Sequence, residues 1–325
     1  MSTMDRRHFI ALGGLAAVAA GQSSGAGAAD SPATGGSATG AGKLLMRRIP
    51  SSGEMLPAIG LGTSDTFEVG ASEGERAPLR DLLRDFFGAG ATLIDTSPMY
   101  SNAESVLGSL LTPEQHGRVF MATKVWTPGS GAAAEQKGVQ QMQRSMALLK
   151  HKRIELMQVH NLVDLDAHLK TLYRWKAEER IKYVGVTHYT TRSYPDLMSI
   201  IAREKIDFVQ FNYSVATREA EKKLLPMCAD AGIAVLINRA FEDGDLFKKV
   251  EGKPLPPSAA EYGAKTWAQV FLKYVLAHPA VTCVIPATGK VRNLKDNLAA
   301  GVGPLPDAKH RQQILAALGY LSPGR

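Results

Sequence analysis

Four side chains with acid, base or hydrogen-bonding chemistry stand where apolar stretches of the sequence give way to polar ones. Asp95, Lys124 and His160 each end an apolar run, and Tyr100 lies on the turn that follows Asp95. An apolar run that ends in a reactive side chain is typical of a parallel α/β sheet, which presents such groups to a ligand at the carboxyl ends of its strands. We therefore expect the four side chains to meet at one edge of a sheet.

This set of side chains suits the reduction of a carbonyl group, which needs an acid to protonate oxygen as negative charge develops on it. A free tyrosine titrates at about 10, and a nearby ammonium such as that of Lys124 lowers this pKa. Asp95 would hold the lysine in place. His160 would donate a hydrogen bond to the carbonyl oxygen and share in stabilising the developing charge. The residue types therefore indicate Tyr100 as a general acid.

Alternating strand-like and helix-like segments must position these side chains. Apolar runs start at eight points: Ile59, Leu93, Val119, Ile154, Tyr183, Phe208, Ala234 and Val281. Eight βα units close into a parallel barrel, which takes roughly 250 residues. Before the first run, the turn 50–53 separates two short strand-like segments, as in a hairpin. The predicted fold class is α/β, a (β/α)8 TIM barrel with an N-terminal β-hairpin.

Three segments that contain these residues resemble the signatures of a known family. DTSPMY at 95–100, ATKVW at 122–126 and LMQVHN at 156–161 occur in this order. Together they are similar to the aldo-keto reductases over nearly the whole of residues 46 to 300. The resemblance implies a reductase of aldehydes or ketones whose catalytic residues are Asp95, Tyr100, Lys124 and His160. It also implies NADPH as cofactor, with NADH as a second option.

The resemblance extends unevenly to the nicotinamide end of the cofactor. It places Thr187, His188 and Gln210 against the carboxamide, with His188 where the family usually has an asparagine. The aromatic residue that often stacks on the nicotinamide is missing. Asn238 or Arg239 stands there instead, and an arginine plane can stack on a ring. No G-x-G-x-x-G follows the first strand, so the cofactor is expected to extend across the barrel top and not to lie on a Rossmann turn.

A later segment, residues 285–297, resembles the family's site for the adenosine phosphate. The basic residues that many relatives carry at two positions of this segment are absent, and two nearby basic side chains are expected to reach a 2′-phosphate instead. A neighbouring acid and amide match the pair that contacts adenine. The predicted contacts in this segment are Thr288, Lys290, Arg292, Asp296 and Asn297.

The remaining predictions concern the substrate and the alternatives to an enzyme. Phe67 and Trp126 lie on loops of the ligand face and are expected to line an apolar substrate pocket. The histidines show no metal-ligand spacing, so no metal site is predicted. A second hypothesis keeps the barrel and the cofactor but makes the protein a redox sensor or a partner-binding subunit. A complete catalytic set favours the enzyme, and a hydrolase using Asp95 and His160 would leave Lys124 without a role.

The first 42 residues differ in kind from the rest of the chain. Arg6-Arg7 precede Phe9-Ile10, a run of small apolar residues and then a Gly/Ser/Ala/Thr tract. This order resembles a twin-arginine export signal, and the apolar run is short for a membrane span, which needs about 20 strongly apolar residues. We expect a signal peptide at 1–29, a flexible linker at 30–42 and the barrel domain at 43–325. The expected location is periplasmic or otherwise exported, with the twin-arginine translocase as a partner.

Composition narrows the remaining classes of partner. The chain has 325 residues, 45% of them hydrophobic, which is enough for one large domain. Its net charge of +7 is spread along the sequence without a dense basic run and interleaved aromatics, so nucleic-acid binding is not expected. Cys228 and Cys283 lie in separate apolar stretches and are interpreted as buried core residues. We expect a monomer that takes a small-molecule carbonyl substrate.

Overall fold

A computed structural model describes residues 42–129 and 131–321 of the chain. Within these ranges the strands are β1 (Met46–Arg48), β2 (Met55–Pro57), β3 (Leu61–Gly62), β4 (Leu93–Asp95), β5 (Phe120–Val125), β6 (Ile154–His160), β7 (Ile181–Thr187), β8 (Phe208–Asn212), β9 (Ala234–Asn238) and β10 (Cys283–Val284). The helices are α1 (Glu73–Gly88), α2 (Ala103–Leu110), α3 (Pro113–Arg118), α4 (Gly131–Leu149), α5 (Leu165–Ala177), α6 (Tyr194–Arg203), α7 (Leu224–Asp230), α8 (Asp245–Lys249), α9 (Trp267–Leu276), α10 (Val291–Ala300) and α11 (Ala308–Ala317).

Strands β3 to β10 form one parallel sheet of eight strands, paired in sequence order. The sheet closes on itself, because isolated parallel bridges join Ile59 to Val284 and Gly62 to Ala287. The backbone N–H of Gly60 donates to the carbonyl of Val284 across this seam at 2.9 Å. The predicted (β/α)8 barrel is confirmed.

Two glycines let the chain at β3 approach its neighbours on both sides, Gly60 towards β4 and Gly62 across the seam. A Cβ atom on Gly60 would stand 2.9 Å from the backbone oxygen of Leu93, and one on Gly62 would stand 2.8 Å from the oxygen of Ile285. Both distances are too short for a side chain, so only glycine lets these backbones approach. The first and last strands are correspondingly short, and they begin two residues later than the apolar runs predicted.

The N-terminal hairpin is also confirmed, since β1 and β2 pair antiparallel. Ile49 and Leu56 from the hairpin are buried in one cluster with the rings of Phe120, Tyr183 and Phe208 from the barrel interior. Tyr183 lies near the amino end of β7, and its hydroxyl donates to the carboxylate of Glu54, on the hairpin, at 2.6 Å. The hairpin therefore covers the amino ends of the strands.

The carboxyl ends of the strands are left for a ligand, and there the barrel interior changes from apolar to polar. Strands β4, β5 and β8 are buried along their whole length, because helices cover their outer face and side chains fill the barrel inside. Above the apolar interior cluster lie the buried polar side chains of Asp95, Lys124, Gln158 and Gln210. This polar layer lies at the end of the barrel where the sequence predicts the ligand.

The remaining predictions about the fold concern the two cysteines and the N-terminal segment. Cys228 and Cys283 are free and buried, as predicted, and burial raises the pKa of the Cys228 thiol to about 12. The predicted signal peptide, 1–29, and all of the linker except Gly42 lie outside the described residues. In the part of the chain that the structure describes, no helix is both long enough and apolar enough to cross a membrane.

Candidate active site

Three consecutive strands and one loop bring the predicted catalytic side chains together. Asp95 is the last residue of β4, Lys124 lies one residue before the end of β5, and His160 ends β6. Tyr100 lies on the loop between β4 and α2. Its ring centre is 4.9 Å from the Lys124 ammonium and 6.1 Å from the centre of the His160 ring. The geometry thus matches the expectation that these groups share one edge of the sheet.

Lys124 and Asp95 form a buried ion pair at the centre of this group. Lys124 Nζ lies 2.6 Å from Asp95 Oδ2, and the two side chains are only 1% and 3% exposed. The ammonium also donates to the carbonyl of Thr96 at 2.7 Å. Burial lowers the pKa of Lys124, but Asp95 and Tyr100 together raise it further, so its pKa lies above the ordinary value. The lysine is therefore charged at neutral pH.

The phenol of Tyr100 keeps its proton at neutral pH. Burial raises the pKa of Tyr100, Asp95 raises it as well, and Lys124 lowers it without cancelling these effects. The sequence predicted the lowering by Lys124, and the structure adds that burial outweighs it. A phenol that stays protonated can give its proton to a ligand, and the adjacent ammonium stabilises the anion that would remain.

His160 is a neutral imidazole next to this pair. Burial, with the neighbouring Lys124 and His188, lowers the pKa of His160 to about 3. Its Nδ1 atom lies 3.1 Å from the hydroxyl oxygen of Ser97, a residue to which the sequence assigned no role. No described residue bonds to Nε2, so this nitrogen is left for a ligand.

Two glutamines hold the second carboxylate oxygen of Asp95. The amide of Gln210 donates to Oδ1 at 2.9 Å and that of Gln158 donates to the same atom at 3.2 Å. Gln210 was predicted as a cofactor contact, whereas Gln158 was missed. A signal for Gln158 was present in the sequence, since it is the one amide inside the apolar run of β6. The structure adds that it pairs in register with Lys124.

Two of the predicted carboxamide contacts, Thr187 on β7 and Gln210 on β8, form a row with Asn238 on β9, which the sequence placed at the stacking position instead. The amide oxygen of Gln210 accepts from the Thr187 hydroxyl at 3.1 Å and from the Asn238 amide at 3.3 Å. The side-chain oxygen of Asn238 is buried without a partner among the described residues. A buried acceptor without a donor is unfavourable unless a ligand supplies one. The amide of a carboxamide is such a donor, so this row fits a nicotinamide.

His188, which replaces the family's asparagine, has one ring nitrogen committed to its own loop. Its Nδ1 accepts from the backbone N–H groups of Tyr189 and Thr190 at 2.9 and 3.2 Å. The proton of the neutral ring is therefore on Nε2, which makes His188 a donor. His188 can therefore donate a hydrogen bond through Nε2 and has no free acceptor nitrogen.

The two candidates for stacking on the nicotinamide lie in different environments. Asn238 belongs to the amide row and also donates to the carbonyl of His188 at 3.2 Å. Arg239 pairs with Asp243 and holds its guanidinium 5.7 Å from the ring centre of Tyr189. Tyr189 in turn stacks on the His188 ring, with 9° between the two planes. Of the two candidates, Arg239 is thus the one that presents a flat group beside the carboxamide row.

The predicted phosphate segment follows β10 at the same end of the barrel. The Thr288 hydroxyl accepts from the backbone N–H of Lys290. Lys290, directly before α10, and Arg292, in its first turn, are exposed. The amino end of a helix attracts anions, so the placement fits a phosphate.

The predicted adenine contacts, Asp296 and Asn297, lie further along α10. Asp296 accepts from the Thr266 hydroxyl at 2.9 Å and from the Gln269 amide at 2.7 Å, while Asn297 is buried. The carboxylate therefore already joins α10 to the start of α9. The adenine contact of Asp296 stays a prediction.

The structure corrects one of the two predicted pocket residues. Phe67 is fully buried in the core, because the turn after β3, closed by the bond from its N–H to the carbonyl of Thr63, directs the ring inward. It does not line a pocket that a ligand can enter. Trp126 is half-buried at the ligand face, and its backbone is held at both ends by the amide of Gln141. The described residues hold no cluster of three His, Cys, Asp or Glu suited to a metal ion.

Comparison with known proteins gives three kinds of match. Residues 58–313 match the profile described as "Aldo/keto reductase family". The chain is 26% identical over 269 residues to pyridoxine 4-dehydrogenase of Escherichia coli, covering 74% of this chain and 91% of that protein. It is 24% identical over 252 residues to the NADH-specific methylglyoxal reductase of the same organism, covering 69% and 76%. An aldo/keto reductase of Klebsiella pneumoniae, solved with NADP and acetate, superposes with a TM-score of 0.70 at 24% identity, over 88% of this chain and 98% of that one. At this identity the solved structure establishes a shared fold.

Proposed function

The chain belongs to the aldo/keto reductase family, and from that membership we propose that it is an NADPH-dependent oxidoreductase that reduces the carbonyl of an aldehyde or ketone to an alcohol. Tyr100 is the general acid in this proposal. The small-molecule substrate enters at the carboxyl ends of the barrel strands, past Trp126, and the protein acts as a monomer.

One observation carries the proposal: a protonated phenol lies against a fully buried Lys124–Asp95 pair, with a neutral imidazole beside it. Burying two charges costs several kcal/mol per ion before their attraction offsets it. A redox sensor or partner-binding subunit has no use for an ammonium aimed at a phenol. An acid that becomes an anion during the reaction needs such an ammonium to stabilise the anion. The arrangement therefore favours the enzyme over those alternatives.

Each of the four catalytic side chains has its own role in the proposed reaction. Tyr100 gives its proton to the carbonyl oxygen, and the charge of Lys124 stabilises the phenolate that remains. Asp95 keeps the lysine charged and in place. His160 donates a hydrogen bond to the same oxygen and remains neutral, so it orients the substrate and stabilises the developing negative charge. Recovery of the Tyr100 proton from solvent then completes the cycle.

The residues that would hold the cofactor are Thr187, His188, Gln210 and Asn238 at the carboxamide, Arg239 beside the ring, and Thr288, Lys290, Arg292, Asp296 and Asn297 at the adenosine phosphate. When bound, the reduced nicotinamide supplies the hydride that the carbonyl carbon receives. The exposed Lys290 and Arg292 support a preference for NADPH, because only NADPH has a 2′-phosphate for them to pair with. One relative is named NADH-specific, so NADH is kept as the second cofactor.

The proposal includes export. Residues 1–29 are proposed to act as a twin-arginine signal, with Arg6 and Arg7 as the pair that the translocase reads. This route carries folded proteins, so the barrel would load its cofactor in the cytoplasm and cross with it bound. The protein would then work in the periplasm or outside the cell.

A single assay tests the function. The purified protein is mixed with NADPH and a panel of aldehydes and ketones, and the absorbance of the reduced cofactor is followed. We expect it to fall with at least one carbonyl compound. Tight binding of NADPH without turnover of any compound would instead support a sensor or binding subunit, and the absence of both would refute the cofactor assignment.

A further inference from the structure

Ser97 lies in the turn after β4, directly behind His160. It is fully buried, and its hydroxyl oxygen is 3.1 Å from His160 Nδ1. We propose that Ser97 is a positioning residue for the proposed reductase: its hydroxyl donates to Nδ1 and thereby keeps the ring proton of His160 on Nε2. The inference rests on the proposed function, because Nε2 is the nitrogen that would donate to the carbonyl oxygen.

The donors and acceptors around the Ser97 hydroxyl decide the direction of its hydrogen bond with His160 Nδ1. The Ser97 oxygen already accepts from the backbone N–H of Met99 at 3.1 Å. A hydroxyl has one hydrogen to donate, and among the described residues His160 Nδ1 is the only acceptor bonded to it. If Nδ1 carried the proton, the oxygen would receive two N–H groups and its own hydrogen would be buried without an acceptor. Such a group is costly, so the O–H donates to Nδ1.

The doubly protonated ring is excluded by its neighbours. His160 faces the Lys124 ammonium and the His188 ring, and it is only 8% exposed to solvent. A second positive charge at this depth would be repelled by Lys124 and poorly solvated. Two neutral tautomers remain, and the Ser97 bond selects between them.

The choice of tautomer sets the sign of the interaction with substrate. With the proton on Nε2, the ring presents a donor to the lone pairs of a carbonyl oxygen. With the proton on Nδ1, the lone pair of Nε2 would face those same lone pairs, and the interaction would be repulsive. Ser97 thus acts on the substrate through His160 and touches no reacting atom itself.

The tautomer can be observed directly by ¹⁵N NMR of histidine-labelled protein without cofactor or substrate. The chain has eight histidines, so His160→Gln is used to assign the two ring signals. In the wild type we expect Nδ1 to resonate as an unprotonated nitrogen and Nε2 as a protonated one. In Ser97→Ala we expect a mixture of the two tautomers. Ser97→Thr keeps the hydroxyl and is expected to keep the wild-type pattern.

Ser214→Ala is the matched control, because it also removes a buried serine hydroxyl that bonds within its own turn. The Ser214 hydroxyl is also fully buried, accepts from two backbone N–H groups of its own turn and donates to Glu242, but no histidine of the described residues bonds to it. For Ser97→Ala we expect kcat to fall about tenfold, the factor for one lost hydrogen bond of ordinary strength, with an unchanged dissociation constant for NADPH. For Ser214→Ala we expect kcat and the histidine spectrum to stay as in the wild type.

Two results would overturn the inference. One is a wild-type spectrum with the proton on Nδ1, which remains decisive even if Ser97→Ala does not fold. The other is a Ser97→Ala protein with wild-type tautomer and wild-type kcat. A wild-type protein that shows the expected tautomer but reduces no carbonyl would overturn the proposed function instead, so the two failures are distinguishable.

Discussion

Neutralising Asp95 is expected to destabilise the fold as well as to stop the reaction, because its partner cannot reach water. Asp95→Asn keeps the shape of the side chain and removes its charge, which leaves the Lys124 ammonium 1% exposed and without a carboxylate to neutralise it, although the Thr96 carbonyl still accepts from it. Removing one partner of a buried pair costs about 3–5 kcal/mol. We expect a loss of that size in the free energy of unfolding, measured by urea denaturation at about pH 7.

The direction in which stability changes with pH is expected to reverse between the wild type and Asp95→Asn. In the wild type, the folded-state pKa of Lys124 is raised above its unfolded value of about 10.4. The pair therefore contributes stability that is full below that value and is lost as pH rises through the folded-state pKa. Without Asp95, burial dominates and the folded-state pKa falls below the unfolded one. Stability of the variant should then increase between about pH 7 and about pH 10.

A matched pair and a double variant separate this explanation from simple damage to the barrel. Lys182 and Glu54 also lie 2.6 Å apart, but their side chains are 38% and 34% exposed. Glu54→Gln should cost less than about 1 kcal/mol, because solvent screens the pair. Adding Lys124→Met to Asp95→Asn should recover much of the lost stability without recovering turnover. A cost below about 1 kcal/mol for Asp95→Asn, or strictly additive costs in the double variant, would refute the reasoning.

Three further predictions test the proposed roles. Tyr100→Phe keeps the ring and removes the proton carrier, so steady-state turnover should fall at least ~100-fold while NADPH still binds; unchanged turnover would refute the general acid. Changing Lys290 and Arg292 together to Ala should weaken NADPH far more than NADH in fluorescence titrations, and equal losses would show that the 2′-phosphate lies elsewhere. Arg6→Lys with Arg7→Lys should keep the protein in the cytoplasm by cell fractionation, and the exported wild type should contain nicotinamide nucleotide. Export of the lysine variant would point to another signal, and empty exported protein would remove the reason for this route.

The predicted catalytic group could be placed at one edge of the barrel from the sequence because three of its four members each end an apolar run. Asp95, Lys124 and His160 need only the rule that parallel strands share one carboxyl edge, and that rule depends on local pattern alone. The same reasoning identified Tyr100 from its place on the following turn. For these residues the strand pattern and the chemistry agree, so no knowledge of side-chain contacts was required.

The features of the site that could not be predicted from the sequence depend on contacts between residues far apart in the chain. The bonds of Gln158 and Gln210 to Asp95 arise from the register of five adjacent strands, and the bond of Ser97 to His160 joins residues 63 positions apart. Phe67 was misplaced because an aromatic residue on a polar loop has no periodicity that tells core from pocket. Burial of Tyr100, which outweighs the effect of Lys124 on its pKa, is likewise a property of the closed barrel.

The seam of the barrel also bears on how the chain folds. Strand β3 pairs with β4 on one side, but its other side meets only residues 284–287, near the end of the described chain. Closing so long a loop is slow, because entropy is lost before the contact forms. During synthesis β3 and β9 must remain as unpaired edges until β10 has emerged, and exposed edges favour aggregation. A chain shortened before residue 283 would keep all four predicted catalytic side chains and yet have no last strand with which to close the barrel.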